Sequence, residues 1–283
     1  MSIDSSLVSH FCKNSTAAFF VTFAYNATRF LLLLPLSIFI LYLGYQRWRR
    51  QRSFKSTSHS DVFTFHNAAL QLIGVLGALL FLFGHYFDLR VLRNVGFLCT
   101  STLYLGENYF HILTCVERYL AVIHPVTYMG LRNSRGVWIR NICIAVAWLQ
   151  TFIWSCAFRL FPTFPLIPFL IQFVASSVII TSCSLCVLCA LIRPGPGEGG
   201  RDREHVDQSK QRAFYTITAI LAVLWLWFVG FTISKAVGDS PVLNSNCALR
   251  SSGYWFSLPS SVVLPLLYLH RTGKLPCFHG NSR

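Results

Sequence analysis

A chain of 283 residues that is 54% hydrophobic and only 12% charged has too little polar side chain to cover a water-soluble globule of its size, so lipid is its natural solvent. The formal charge of +14 would point to nucleic acid in a soluble protein, but here Lys and Arg lie between apolar runs, as in the cytoplasmic loops of membrane proteins. No nucleic-acid partner is expected; the bilayer is.

Long uncharged runs predict seven membrane helices: Ala18 to Tyr45, Val62 to Phe87, Asn94 to Ile123, Val137 to Phe158, Phe164 to Ile192, Ala213 to Lys235 and Ser252 to Leu269. The expected fold is an all-α membrane protein, a seven-transmembrane helix bundle. It divides into an N-terminal segment (1–17), the helix domain (18–269) and a short tail (270–283). The N-terminal segment is polar and has no apolar core of the cleaved-signal type. Arg29 interrupts the first span and is expected to snorkel to the interface.

Orientation follows from the basic residues. Arg47, Arg49, Arg50, Arg52 and Lys55 follow the first span, Arg132, Arg135 and Arg140 the third, and Arg193, Arg201, Arg203, Lys210 and Arg212 the fifth. With Arg271, Lys274 and Arg283 in the tail, this face outweighs the other, which puts the N-terminus outside and the tail in the cytoplasm. The glycosylation patterns at Asn14 and Asn26 both fall on the outer side. The segment Arg193 to Gly200, rich in Pro and Gly, reads as the start of a cytoplasmic loop that runs to Arg212. A multi-pass protein of the plasma membrane is the expected location.

Chemistry enters in the third span. Glu107, His111, Thr114 and Arg118 recur at helical spacing and share one face, where an ionisable group in hydrocarbon marks function or an inward polar seam that merely packs. No Lys stands in the seventh span, so a retinal Schiff base is excluded. His66, His85 and His111 lie on three spans at different depths, which argues against a metal-dependent membrane enzyme, and no catalytic or metal site is expected.

The inner end of that span reads Glu117-Arg118-Tyr119, with Pro125 following, and Trp148 stands in the fourth span. In this combination the chain resembles the rhodopsin-like G-protein-coupled receptors. The resemblance implies that Glu117 holds Arg118 at rest and that movement of the sixth helix frees Arg118 to meet the C-terminal helix of a Gα subunit, a population shift driven by an extracellular ligand. A heterotrimeric G protein is then the partner. Arg90, Arg93, Arg159, Lys235 and Arg250 at the outer face mildly favour an anionic small molecule or lipid as ligand, although the same arginines would also serve as headgroup anchors.

Several family landmarks are altered. The seventh span keeps Pro265 and Tyr268 but has Leu264 where the family has Asn; the sixth has Trp225 and Trp227 but no Pro; the second has Gln71 where the family has a sodium-binding Asp. One expectation is that the charge has moved to Glu107, with a sodium ion near Gln71, Glu107 and His111; the other is a neutral Glu107 bonded to Asn108 or His111. The family disulfide is not expected; a bridge between Cys12 and Cys247, as in some peptide and nucleotide receptors, is. Cys277 is a candidate for lipidation. The altered landmarks leave room for a non-signalling seven-helix decoy or scaffold, and a transporter ranks below both.

Overall fold

The computed structural model describes residues 15–51, 58–131, 133–160, 166–192, 201–238 and 247–273. Among these the chain is all helical, with no strand. In chain order the elements are α1 (Thr16–Gln51), α2 (His59–Tyr86), α3 (Arg90–Ile123), α4 (Pro125–Leu131), α5 (Ser134–Leu160), α6 (Leu166–Ile192), α7 (Arg201–Gly238) and α8 (Cys247–Ser252). A 3₁₀ turn, Gly253–Ser257, leads into α9 (Leu258–Arg271).

Five helices, α1, α2, α5, α6 and α7, contain windows long and apolar enough to cross a membrane. They are the helices of a multi-pass membrane protein, and their outer faces agree: Leu31, Trp138, Leu149 and Ile171 are well exposed although apolar, which lipid tolerates and water does not. Tyr45 and Trp48 flank Arg47 and Arg49 at one end of α1, the aromatic and cationic pairing typical of a headgroup boundary.

α3 is the axis of the bundle and touches α2, α5, α6, α7 and α9. Its buried Leu103 and Phe110 join Leu70, Ile180, Ile217, Ile220, Leu224 and Leu264 in one cluster. Association of helices in lipid gains little from the hydrophobic effect, so close packing has to supply the attraction. Between α2 and α3 it does so through glycine. A Cβ on Gly96 would stand 2.4 Å from the Phe81 backbone nitrogen, and one on Gly77 2.5 Å from Cys99 Cβ. The two helices are joined by a tight reversal in which Asp88 takes φ 51°, a left-handed conformation that Asp tolerates better than most side chains.

Three boundaries differ from the sequence reading. The segment 201–212, read as loop, opens α7, because it has no Pro or Gly and is rich in good helix formers. Pro125 starts a separate short helix, α4, at the position where a missing N–H costs nothing. The seventh run is broken at Gly253 into α8, the 3₁₀ turn and α9, with Pro265 inside α9.

Gly96→Leu is expected to lower stability by about 2–3 kcal/mol through overpacking against backbone that cannot yield. Gly130→Leu on α4, where nothing lies within 4 Å of the added Cβ, should change it little. Thermal unfolding of the two variants in detergent checks this.

Candidate functional site: a polar core and a charged latch

The polar face of α3 points into the bundle: Glu107 is 3% exposed, His111 0% and Thr114 2%. Three serines at helical spacing on the seventh run, Ser257, Ser260 and Ser261, meet it. Ser261 Oγ donates to Glu107 Oε2 at 3.1 Å, and His111 Nε2 lies 3.0 Å from Ser260 Oγ. Gln71 on α2 donates to the Ser261 carbonyl and accepts from Ser37 of α1 at 2.8 Å. Tyr25 of α1 bonds both Ser257 and Tyr104 at 2.8 Å. The 3₁₀ turn and α9 are thereby tied to α1, α2 and α3 by hydrogen bonds, the linkage that small hydroxyl residues provide between helices in lipid.

Gln71, Glu107 and His111 are thus brought together: Gln71 and Glu107 meet at Ser261, where the Gln71 amide also acts on the carboxylate as a hydrogen-bonding neighbour, and His111 turns to Ser260. Neither Asn108 nor His111 bonds Glu107: Asn108 Nδ2 donates to Ser176 of α6 at 2.9 Å and His111 turns to Ser260.

Arg29 does not snorkel. It lies well inside α1, on the same face as Tyr25 and Leu33, and is 1% exposed. Its guanidinium carbon stands 5.4 Å and 5.6 Å from the ring centres of Tyr25 and Tyr104, in cation–π contact, and Nη1 donates to the Tyr104 hydroxyl at 3.4 Å.

The residues do not fit a resident sodium ion. Glu107 Oε1 and Asn108 Oδ1 are unpartnered oxygens of the right hardness, but the space they share with Tyr104, Trp227, Ser257 and Ser260 admits no water-sized group. The positive charge of Arg29 also acts on the same carboxylate.

A second assembly lies at the end of the bundle where α2 begins. Three consecutive buried residues of α2 each hold a different element. His59 Nε2 is 2.9 Å from the Leu131 carbonyl at the end of α4, and its ring meets Tyr128 edge-on. Ser60 Oγ accepts from Arg118 Nη2 at 2.8 Å. Asp61, 1% exposed, pairs with Arg47 of α1 at 2.7 Å and with Arg271 of α9.

Arg118 is also paired with Glu117 at 3.4 Å, and Glu117 accepts from the Tyr128 hydroxyl at 2.7 Å. Burial, and then the Glu117 carboxylate, pushes the Tyr128 phenol up to about 12. Tyr119 stands outside this set, its hydroxyl 3.3 Å from His124. Tyr268 is buried edge-on against Phe65, packed with Ile40 and Ala68, and Pro265 is buried beside Leu264.

Asn26 sits in α1, its amide nitrogen donating to the Thr22 carbonyl at 2.9 Å. Cys247 is disulfide-bonded, while Cys99, Cys115, Cys143, Cys156, Cys183, Cys186 and Cys189 are free thiols. Asn14, Cys12 and Cys277 lie outside the described residues.

Sequence reading missed Tyr25, Ser60, Asp61, Tyr104 and the three serines. The spacing of Ser257, Ser260 and Ser261 was a usable signal, since it lines one helix face with hydroxyls in an apolar run. No protein-family model matches the chain, and a search of curated proteins finds no match.

Two measurements probe the latch. Asp61→Asn is expected to cost about 1–2 kcal/mol in thermal unfolding, below the usual value for breaking a buried pair because both arginines are partly exposed and can turn to water or headgroups. The folded state favours the neutral Tyr128 phenol, so its contribution is complete below about pH 10 and lost as pH rises toward 12. A titration of phenolate absorbance should lose a late step in Tyr128→Phe.

Proposed function

We propose that the protein is a seven-helix receptor of the rhodopsin-like G-protein-coupled class, passing an extracellular ligand signal to a heterotrimeric G protein from the plasma membrane. The observation that carries this reading is the hold on Arg118, which is paired with Glu117 and Ser60 at the bundle end where Arg47 and Arg271 also gather. A cation restrained by a neighbouring carboxylate and a hydroxyl, at the face exposed to a cytoplasmic partner, is an element that a modest helix movement would release.

The seven-span count takes α3 and the α8–α9 run together with the five apolar helices. α3 falls short on apolarity because it carries Arg93, Glu107, Glu117 and Arg118, and the last run because the 3₁₀ turn divides it. The basic excess at the Arg118 end assigns that end to the cytoplasm and the N-terminus to the outside. Arg93 is partly engaged with Asp88 at 3.3 Å, which leaves Arg90 among the described outer cations for an anionic ligand.

One observation favours a second reading, a non-signalling decoy or scaffold. α7 spans 38 residues without a Pro, so it lacks the usual pivot for outward bending.

The experiment is basal and reconstituted nucleotide exchange on a panel of Gα subunits in nanodiscs. Wild-type protein is expected to stimulate exchange and Arg118→Ala to lose at least about tenfold of it, a loss in the range of removing a charged hydrogen-bonded contact. Equal exchange from both proteins would refute the switch role of Arg118. An epitope ahead of Met1 should be stained on intact cells.

A further inference from the structure

Arg29 on α1 and Glu107 on α3 are opposite charges buried in the bundle, and each has a free edge. Nε and Nη2 of Arg29 have no hydrogen-bond partner, nor has Glu107 Oε1. The two groups act on each other through space, yet they are not joined by an ion pair within 4.0 Å. A bare edge on a charged group in a low-dielectric core is costly, so each group gains by finding a partner for it.

The bonds each already makes are loose. Ser261 reaches Glu107 at 3.1 Å and divides its donor between that carboxylate and the Ser257 carbonyl at 3.4 Å, whereas a full hydroxyl-to-carboxylate bond closes to about 2.5–2.7 Å. Arg29 reaches Tyr104 only at 3.4 Å. The absence of a side chain at Gly74 lets the guanidinium lie there at all, since a Cβ at that position would stand 3.1 Å from Nη2.

We propose that Arg29 is the alternative partner of Glu107: in a second arrangement of the bundle the carboxylate leaves Ser261 and closes a two-point pair on the Nε and Nη2 edge of the guanidinium. The unpartnered nitrogens are the two that form one side of the guanidinium fork, the geometry that a carboxylate matches with two parallel bonds. In the first arrangement Glu107 ties α3 to α9. In the second it ties α3 to α1, and at this level of the bundle the last run keeps its bonds through Ser257, Ser260 and the Ser261 carbonyl, with the Arg271–Asp61 pair unaffected. The exchange converts a small shift of α9 into a choice between two discrete pairings. Its consequence for signalling rests on the receptor reading; the existence of two arrangements does not.

The test uses the full chain in nanodiscs, with spin labels carried by non-canonical amino acids at the lipid-facing positions Leu31 on α1 and Leu266 on α9. Wild-type protein should give two inter-label distances. Arg29→Gln and Glu107→Gln should each collapse these to one, and Arg29→Lys, which keeps the charge but has no two-point edge, should reduce the population of the second distance. The same single distance in wild type and Arg29→Gln, or two distances in all variants, overturns the proposal. In nucleotide exchange, Arg29→Gln and Glu107→Gln should each lower the basal rate at least about fivefold, with the double variant no lower than either. Independent, multiplying losses also overturn it. If the distances respond and wild-type protein stimulates no exchange, the exchange of partners stands and the receptor reading falls.

Discussion

The bundle depends on how the polar side chains of α9 are satisfied where there is no water to satisfy them. Ser257, Ser260 and Ser261 each meet a side chain from another helix, namely Tyr25, His111 and Glu107, and the Ser261 carbonyl takes a bond from Gln71. α9 is only 14 residues long and contains Pro265, so its own ladder of backbone bonds is interrupted. Its position is set from outside, by α1, α2 and α3. In hydrocarbon every such bond competes with an unsatisfied group rather than with a hydrated one, which is why a few hydroxyls suffice to fix a helix.

The other end of the bundle is organised by charge. The first turn of α2 places His59, Ser60 and Asp61 in succession, the first two directed at α4 and α3 and the third at both α1 and α9, so one turn fixes the ends of four helices. Consecutive residues on a helix point about 100° apart, and this divergence lets three neighbours serve three directions. The two ends are linked along α3, which carries Glu107 in the serine cluster and Glu117 and Arg118 in the latch. A displacement of α9 is therefore felt at Asp61 through Arg271 as well as at Glu107 through Ser261.

Much of this was legible in the amino-acid pattern, but unevenly. The apolar runs found the helices, and the spacing of Glu107, His111 and Thr114 found the inward face of α3, because periodicity is a property of one helix alone. What the residues on that face would touch was hidden. For Glu107 the pattern offers a sodium site or a bond to Asn108 or His111 on its own helix, and the carboxylate instead meets Ser261, 154 positions along the chain. Arg29 shows the same limit: a lone cation in an apolar run has no local cue to whether it turns to headgroups or inward, and the deciding partners, Tyr25 and Tyr104, lie on two helices. Asp61 was placed at a loop edge, where a carboxylate ordinarily needs no explanation, and only the approach of Arg47 and Arg271 makes it a junction. The charged start of α7 follows a Pro and Gly run that reads as loop, although its own residues favour a helix.

The length of α7 has a mechanical meaning. At 1.5 Å per residue, its 38 residues make a rod of about 57 Å, nearly twice the thickness of the hydrocarbon layer it crosses. With no Pro to absorb bending, such a rod tilts as a unit. A tilt of about 5° around its midpoint swings each tip by about 2–3 Å, an estimate from the helix rise alone. Small packing changes around Trp227 would then be carried to Arg201 as a swing of the whole helix, with the segment 201–212 extending beyond the apolar stretch as a pointer.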